Sequence, residues 1–249
     1  MSETTPGSSV SRPFLETRRE DNWWVGPMAT AMGLLAFTVY TTWAALQGEH
    51  YSWGPYLSPF YSPLIKPEGW PLSPAILILW APGGFRLTCY YYRKSYYRAF
   101  MAMPPACAVA AAPHKYRGER ALFIFQNLHR FFFYLAMLFV VILTYDAIIA
   151  FNFDGSFGIG VGSIVLTLNA VFIAAFTFGC NSFRHLVGGN VDCYSCASMG
   201  KQRHLLWRVV TFFNKKHMEW AWISLFWVGF SDAYVRLVSM GIITDMRIL

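Results

Sequence analysis

The residues best suited to chemistry are five cysteines, Cys89, Cys107, Cys180, Cys193 and Cys196, and five of the six histidines, His114, His129, His185, His204 and His217. Thiolates and imidazoles are ligands for zinc, haem iron and iron–sulfur clusters. Cys89 stands four residues before Arg93 and Cys180 four before Arg184, so on a helix each lies about 6 Å deeper than a charged interfacial residue. His129 directly precedes Arg130, and His217 follows Lys215 and Lys216. Four separate segments thus bring one ligand each to a comparable depth, and Cys89, His129, Cys180 and His217 form the first candidate metal set. Two cysteines with two histidines suit tetrahedral zinc, or a Rieske-type [2Fe-2S] cluster in which two histidines replace two cysteines on one iron. That ligation raises the potential to roughly −150 to +300 mV, a range that suits exchange with quinones. Zinc brings no redox chemistry, and a helical bundle is already stabilised by packing.

A second set competes. Cys193-Tyr-Ser-Cys196, flanked by His185 and His204, has the local spacing of a zinc or cluster knuckle, and sets drawing on Cys107, His185, Cys193 or Cys196 stay open. Haem b is the alternative cofactor, with His129, His185 and His217 available as paired imidazole ligands between helices. Haem needs no cysteine, so cysteines at matching depth favour the cluster. A single membrane cysteine is usually small apolar packing; the coincidence of depth carries the argument. Disulfides are not the expected use of these thiols in a reducing compartment.

The elements that position these residues follow from composition. The chain is 55% hydrophobic and only 13% charged, where a soluble domain has about 25% charged residues. Five apolar stretches, about 24–46, 72–92, 122–151, 158–183 and 212–243, are long enough to cross a hydrocarbon layer of ~30 Å. The expected fold is an all-α integral membrane bundle of five transmembrane helices over 22–249, preceded by a polar segment, 1–21, whose beginning is expected to be mobile. Lysine and arginine gather on one side. Arg12, Arg18 and Arg19 precede the first span; Arg93, Lys94, Arg98, Lys115, Arg117 and Arg120 follow the second; Arg184, Lys201, Arg203, Arg208, Lys215 and Lys216 follow the fourth. Positive loops stay inside, which predicts a cytoplasmic N-terminus, puts every cysteine at the inner end, and explains the net charge of +7 without nucleic acid. The first span is too long and lacks the cleavage site of a signal peptide. The proline- and aromatic-rich stretch 47–71 reads as an ordered outer cap. No phosphate loop or nucleophile elbow is present in the sequence.

Charges inside spans are costly and so informative: Arg86, Arg130, Asp146, Asp232 and Arg236. Asp146 and Asp232 suggest interhelical ion pairs, although Asp232 and Arg236 have the i, i+4 spacing that lets them neutralise each other. Arg86, Tyr90, Arg93, Arg130 and Trp220 are the candidates for quinone or cluster surroundings, with the run Tyr90, Tyr91, Tyr92, Tyr96, Tyr97 as an aromatic belt or one wall of a quinone pocket. A transporter is the remaining reading, with Gly83-Gly84 interrupting the second helix, but it leaves the one-sided cysteines and histidines unexplained.

On these residues the chain resembles the membrane-anchor (C) subunit of succinate dehydrogenase, respiratory complex II, of type F. The resemblance is carried by Thr88-Cys89-Tyr-Tyr-Tyr-Arg-Lys, Pro104-Pro-Ala-Cys107, Gln126-Asn-Leu-His129-Arg130, Phe178-Gly-Cys180, Arg184-His185-Leu-Val-Gly-Gly189, His217-Met-Glu-Trp-Ala-Trp222 and Asp232-Ala-Tyr-Val-Arg236. It departs at Asn181, where similar sequences often carry histidine. The resemblance implies a multi-pass subunit in the cytoplasmic membrane of a bacterium. It implies docked flavoprotein and iron–sulfur subunits that oxidise succinate, and a membrane Rieske-type cluster in place of haem, passing electrons to quinone. Succinate turnover would then belong to the partners rather than to this chain.

Overall fold

The computed structural model describes residues 13–110 and 121–249; Arg12, His114, Lys115, Arg117 and Arg120 lie outside the described residues. The chain is mostly helical. Among the described residues eight α-helices follow one another: α1 (Val25–Gln47), α2 (Ala75–Thr88), α3 (Tyr90–Phe100), α4 (Leu122–Ile149), α5 (Val161–Phe178), the short α6 (Asn181–Arg184), α7 (Gly200–Lys215) and α8 (His217–Ser239). A π-helical turn at His185–Gly189 follows α6. Two two-residue hairpins, β1–β2 at Ser52–Trp53 and Tyr56–Leu57 and β3–β4 at Asn152–Phe153 and Ser156–Phe157, join α1 to α2 and α4 to α5.

Helices α1, α4 and α5 are long and apolar enough to cross a membrane. On α4 the buried residues His129, Phe133, Ala136, Val140, Leu143 and Ala147 fall three and four apart, one stripe facing the bundle. Its other faces expose Phe131, Leu138, Val141 and Ile148, as a helix facing lipid does. Helix α8 matches α1 in length but carries Glu219, Asp232 and Arg236, and buries Ala221, Ser224, Gly229 and Ser231. Such small residues let helices approach closely without a hydrophobic driving force between them.

The expected span at 72–92 takes a different form. Helix α2 covers 14 residues, about 21 Å, and passes unbroken through Pro82, Gly83 and Gly84. The interruption falls instead at Cys89, whose extended backbone (φ −64°, ψ 125°) separates α2 from α3. The glycines are there for proximity: a Cβ on Gly84 would collide with the Phe132 ring of α4. The expected span at 212–243 likewise divides at Lys216, between α7 and α8.

The two ends of the bundle differ. At one, the hairpins meet through the Tyr56–Phe153 ring pair, 5.9 Å apart, and the stretch 47–71 is ordered, with Tyr61 and Phe60 packed against Ala44 of α1. Three of the span charges, Asp146, Asp232 and Arg236, find their partners here. Asp232 accepts from Tyr40 (2.6 Å) and from Ser58, and lies 3.4 Å from Arg236 on its own helix. Asp146 accepts from Ser62. The i, i+4 neutralisation is what forms; neither carboxylate makes an interhelical ion pair among the described residues, because serine and tyrosine hydroxyls reach them first. At the other end α2 and α5 finish, α4 and α8 begin, and a core of Leu34, Phe85, Cys89, Tyr92, Phe133, Phe176, Cys180 and Leu225 closes the bundle.

Candidate functional site

Cys89, His129, Cys180 and His217 line one cavity of about 390 Å³ at this closed end. The local sequence places each of them. Cys89 is the first residue beyond α2 and Cys180 the second beyond α5, both extended, and Cys180 caps the next turn by accepting from the Ser182 amide. His129 is on the buried stripe of α4, two turns in, and His217 is the first residue of α8. Two helix ends and two helix beginnings therefore converge.

The four side chains come as two pairs. His129 Nε2 is 3.1 Å from Cys180 Sγ, and His217 Nε2 is 3.7 Å from Cys89 Sγ. Thr88 fixes the first pair. Its hydroxyl donates to the Gly84 carbonyl (2.7 Å), so the same oxygen accepts from His129 Nδ1 at 3.0 Å. The proton of a neutral imidazole then sits on Nδ1, and Nε2 turns its lone pair towards the cysteine. His217 differs: its buried Nδ1 has no hydrogen-bond partner among the described residues. No three His, Cys, Asp or Glu side chains among the described residues converge as ligands of a single ion; the arrangement is two pairs bordering a wider space.

Aromatic rings hold both imidazoles. Phe85 stacks on His129 with centroids 4.7 Å apart and planes 5° from parallel, and Phe176 stacks on His217 at 5.0 Å and 17°. Neither phenylalanine was singled out by sequence reasoning, and Thr88 entered only as part of the resemblance, with no role assigned to it. The signal was present, because Phe85 and Phe176 each stand one helical turn before a cysteine of the set.

The other expected residues divide. Tyr90 and Arg130 line the cavity, with His185, Gln126, Asn181 and Asn214 beside them. Arg93 is buried and donates to the Thr88 carbonyl, its guanidinium 4.9 Å from the Phe125 ring centroid. Arg86 and Arg93 are both within electrostatic reach of Cys89. Arg86 is turned away from this cavity. It bonds Tyr92 (2.5 Å) and Ser224 (3.0 Å), and it lines a second, apolar cavity. Trp220 lines neither, packing against Phe172 and Phe213. Cys193 and Cys196 form a disulfide, contrary to the expectation for a reducing compartment: the turn between them brings their Cα atoms to 5.3 Å, within ordinary bridging distance. That pair does not line the cavity, His204 stacks on Trp207 instead, and Cys107 is exposed.

Residues 25–241 match the family described as actinobacterial succinate dehydrogenase subunit SdhC. Among solved structures, the chain is similar to one from the Mycobacterium smegmatis Sdh1 complex in the apo form, with 40% identity over 94% of each chain and a TM-score of 0.83. No curated protein matches it. With nearly the whole helical bundle inside the matched region, the chain belongs to the actinobacterial succinate dehydrogenase SdhC family.

Proposed function

We propose that this subunit anchors a succinate dehydrogenase in the cytoplasmic membrane and conducts electrons from a docked iron–sulfur subunit to a membrane quinone through a Rieske-type [2Fe-2S] cluster. The observation that carries the reading is the convergence of two thiols and two imidazoles, from four helix ends, on one cavity. Two close pairs around a space of that size suit a two-iron body better than a single zinc ion. When bound, the cluster supplies one-electron transfer between the soluble partner and the quinone.

The chain's own residues do the rest. Cys89 and Cys180 would hold the group as thiolates, and His129 and His217 through their imidazoles. Buried thiolates need compensating charge, which Arg93 offers from its bond to the Thr88 carbonyl next to Cys89. Thr88 keeps the His129 proton on Nδ1, the usual service of a ligand's hydrogen-bond partner. The flavoprotein and iron–sulfur subunits dock at the cavity end, where Gln126, Arg130, Asn181 and His185 are exposed. Succinate is oxidised in those partners. Helices α1, α2 with α3, α4, α5 and α8 form five crossings, and the bias of lysine and arginine puts the N-terminus and the cavity end in the cytoplasm of the bacterium.

The test is low-temperature EPR with iron and acid-labile sulfide analysis of the chain purified with its partners, repeated for a His129→Ala, His217→Ala double variant. A Rieske-like signal of low average g, lost in the variant together with quinone reduction, is the expected result. A haem spectrum with no such signal, or a signal that survives the double substitution, would reject the assignment.

A further inference from the structure

Helix α7 divides its surface between a packed face and an open one. On the packed face Val210 is buried, Thr211 accepts from Arg184 Nε at 3.0 Å, the Arg184 guanidinium lies 4.7 Å from the Trp207 ring centroid, and Asn214 donates to the Gly179 carbonyl at 2.8 Å. On the open face Leu205, Leu206, Val209 and Phe212 are 45–64% exposed. The i, i+4, i+7 spacing of Leu205, Val209 and Phe212 makes that face one apolar stripe. Between the two faces runs a basic edge. Lys201, Arg208 and Lys215 stand seven residues apart, close to two turns each, so they line up beside the stripe. All three are exposed. They make no ion pair among the described residues, and α7 itself contains no aspartate or glutamate.

The position of α7 decides what covers the stripe. Its last turn is tied to Gly179, the residue that ends α5, and α5 is long and apolar enough to cross a membrane. Helix α8 starts at His217, one residue beyond Lys216. The C-terminal end of α7 is therefore held where the bundle meets the membrane boundary. Asn214 lines the cysteine and histidine cavity. At about 100° per residue, Leu205, Val209 and Phe212 stand roughly 140–180° round the helix from Asn214, so the stripe faces away from the rim on which the soluble subunits would settle. A soluble partner on that rim leaves the stripe bare, whereas a bilayer covers it. An apolar stripe edged with cations is the form of a helix that lies among lipid headgroups. Neutral lipid would cover the stripe and give the cations no counter-charge; anionic lipid does both.

We propose that α7 is a binding surface for anionic phospholipid, with Leu205, Val209 and Phe212 among the acyl chains and Lys201, Arg208 and Lys215 on the headgroup phosphates. The leaflet, the inner one, rests on the orientation proposed above; the class of lipid rests on the charges of α7. The same helix bonds the turn before Cys180 through Asn214, so lipid seated on its outer face braces one wall of the cavity from outside.

The experiment uses the complex with its partners in phosphatidylcholine nanodiscs that carry a trace of either diazirine-bearing phosphatidylglycerol or diazirine-bearing phosphatidylcholine with the same acyl chains. After photolysis the labelled peptides are mapped by mass spectrometry. Residues 200–216 should take at least three-fold more label from phosphatidylglycerol. That excess should shrink as added salt screens the headgroups, and disappear in a Lys201→Gln, Arg208→Gln, Lys215→Gln variant. Equal labelling by the two lipids would reduce α7 to ordinary lipid contact and overturn the site, as would an excess that survives the triple substitution. Absence of label from both lipids would mean that protein covers the stripe, which overturns it too. The comparison of the two lipids needs no variant, so it decides the matter even where the triple variant fails to assemble. Label on 131–148 of α4 reports the membrane reading separately: its absence sinks the bilayer placement of the whole chain, and its presence with none on α7 sinks this inference alone.

Discussion

At the residue scale, chemistry depends on which atom of each imidazole faces the cavity. Thr88 decides this for His129 through one oxygen that donates to Gly84 and accepts from Nδ1. Thr88→Val keeps the shape and removes that acceptor. Outer-shell changes of this kind cost roughly 10–100-fold in metal affinity, so iron content per chain under limiting iron should fall by that order. In the metal-free protein, nitrogen-15 NMR should show mixed His129 tautomers where the unaltered chain has one. The four proposed ligands were legible in the sequence because each sits a fixed distance from a lysine or arginine, and the membrane interface turns that spacing into depth. Thr88, Phe85 and Phe176 were not, since threonine and phenylalanine in an apolar helix are ordinary packing. Their roles come from rotation about the helix axis, which depth does not report. Trp220 packs against the core that holds Cys89 and Cys180, with its ring against Phe172 and Phe213.

At the element scale, the site depends on how helices stop. Gly179 ends α5, and its carbonyl accepts from Asn214 of α7 at 2.8 Å. A Cβ there would lie 2.7 Å from the Ala175 carbonyl oxygen and 3.2 Å from that of Phe213. Gly179→Ala must therefore push α7 and the turn before Cys180 apart. The expected cost is about 1–3 kcal/mol, seen as a lower melting temperature in detergent together with loss of the His129–Cys180 approach. At the opposite end, Asp232→Asn leaves the buried Arg236 without its carboxylate, a change on the order of 3–5 kcal/mol. Fluorescence-monitored unfolding should report it, with the EPR signal unchanged in whatever protein remains folded. Hydropathy located the elements but not these breaks. The mean polarity of 72–92 contains nothing to distinguish Gly83, through which the helix runs, from Cys89, at which it stops. A proline and two glycines read as a weak point, whereas close packing against Phe132 holds that turn helical.

At the scale of the whole molecule, the bundle is polar and tied at one end, and carries the cysteine and histidine cavity at the other. The hairpin end is fastened through Asp245, which accepts from Tyr56 (2.7 Å), Tyr234 (2.5 Å) and the Gly162 amide (2.9 Å). Burial, with the Asp245 carboxylate adding to it, pushes the Tyr56 phenol up from 10.0 to about 12. The neutral phenol is thus favoured by folding, a contribution complete below pH ~10 and lost as the pH rises from ~10 to ~12; Tyr56→Phe should flatten the stability profile over that interval. The proposed orientation has its own check. Cys107 is the exposed free cysteine among the described residues, Cys89 and Cys180 being buried, so a membrane-impermeant maleimide should label the chain in inside-out vesicles and leave right-side-out vesicles unlabelled. The Phe85–His129 and Phe176–His217 stacks bear on biogenesis. Rings clamped this way hold both imidazoles in place before any iron arrives, and the rim through which iron and sulfide would enter is the surface on which the soluble subunits would settle. Maturation then has an order, cofactor first and partners second, and an anchor expressed alone should be capable of accepting its cluster, while one capped too early would stay empty.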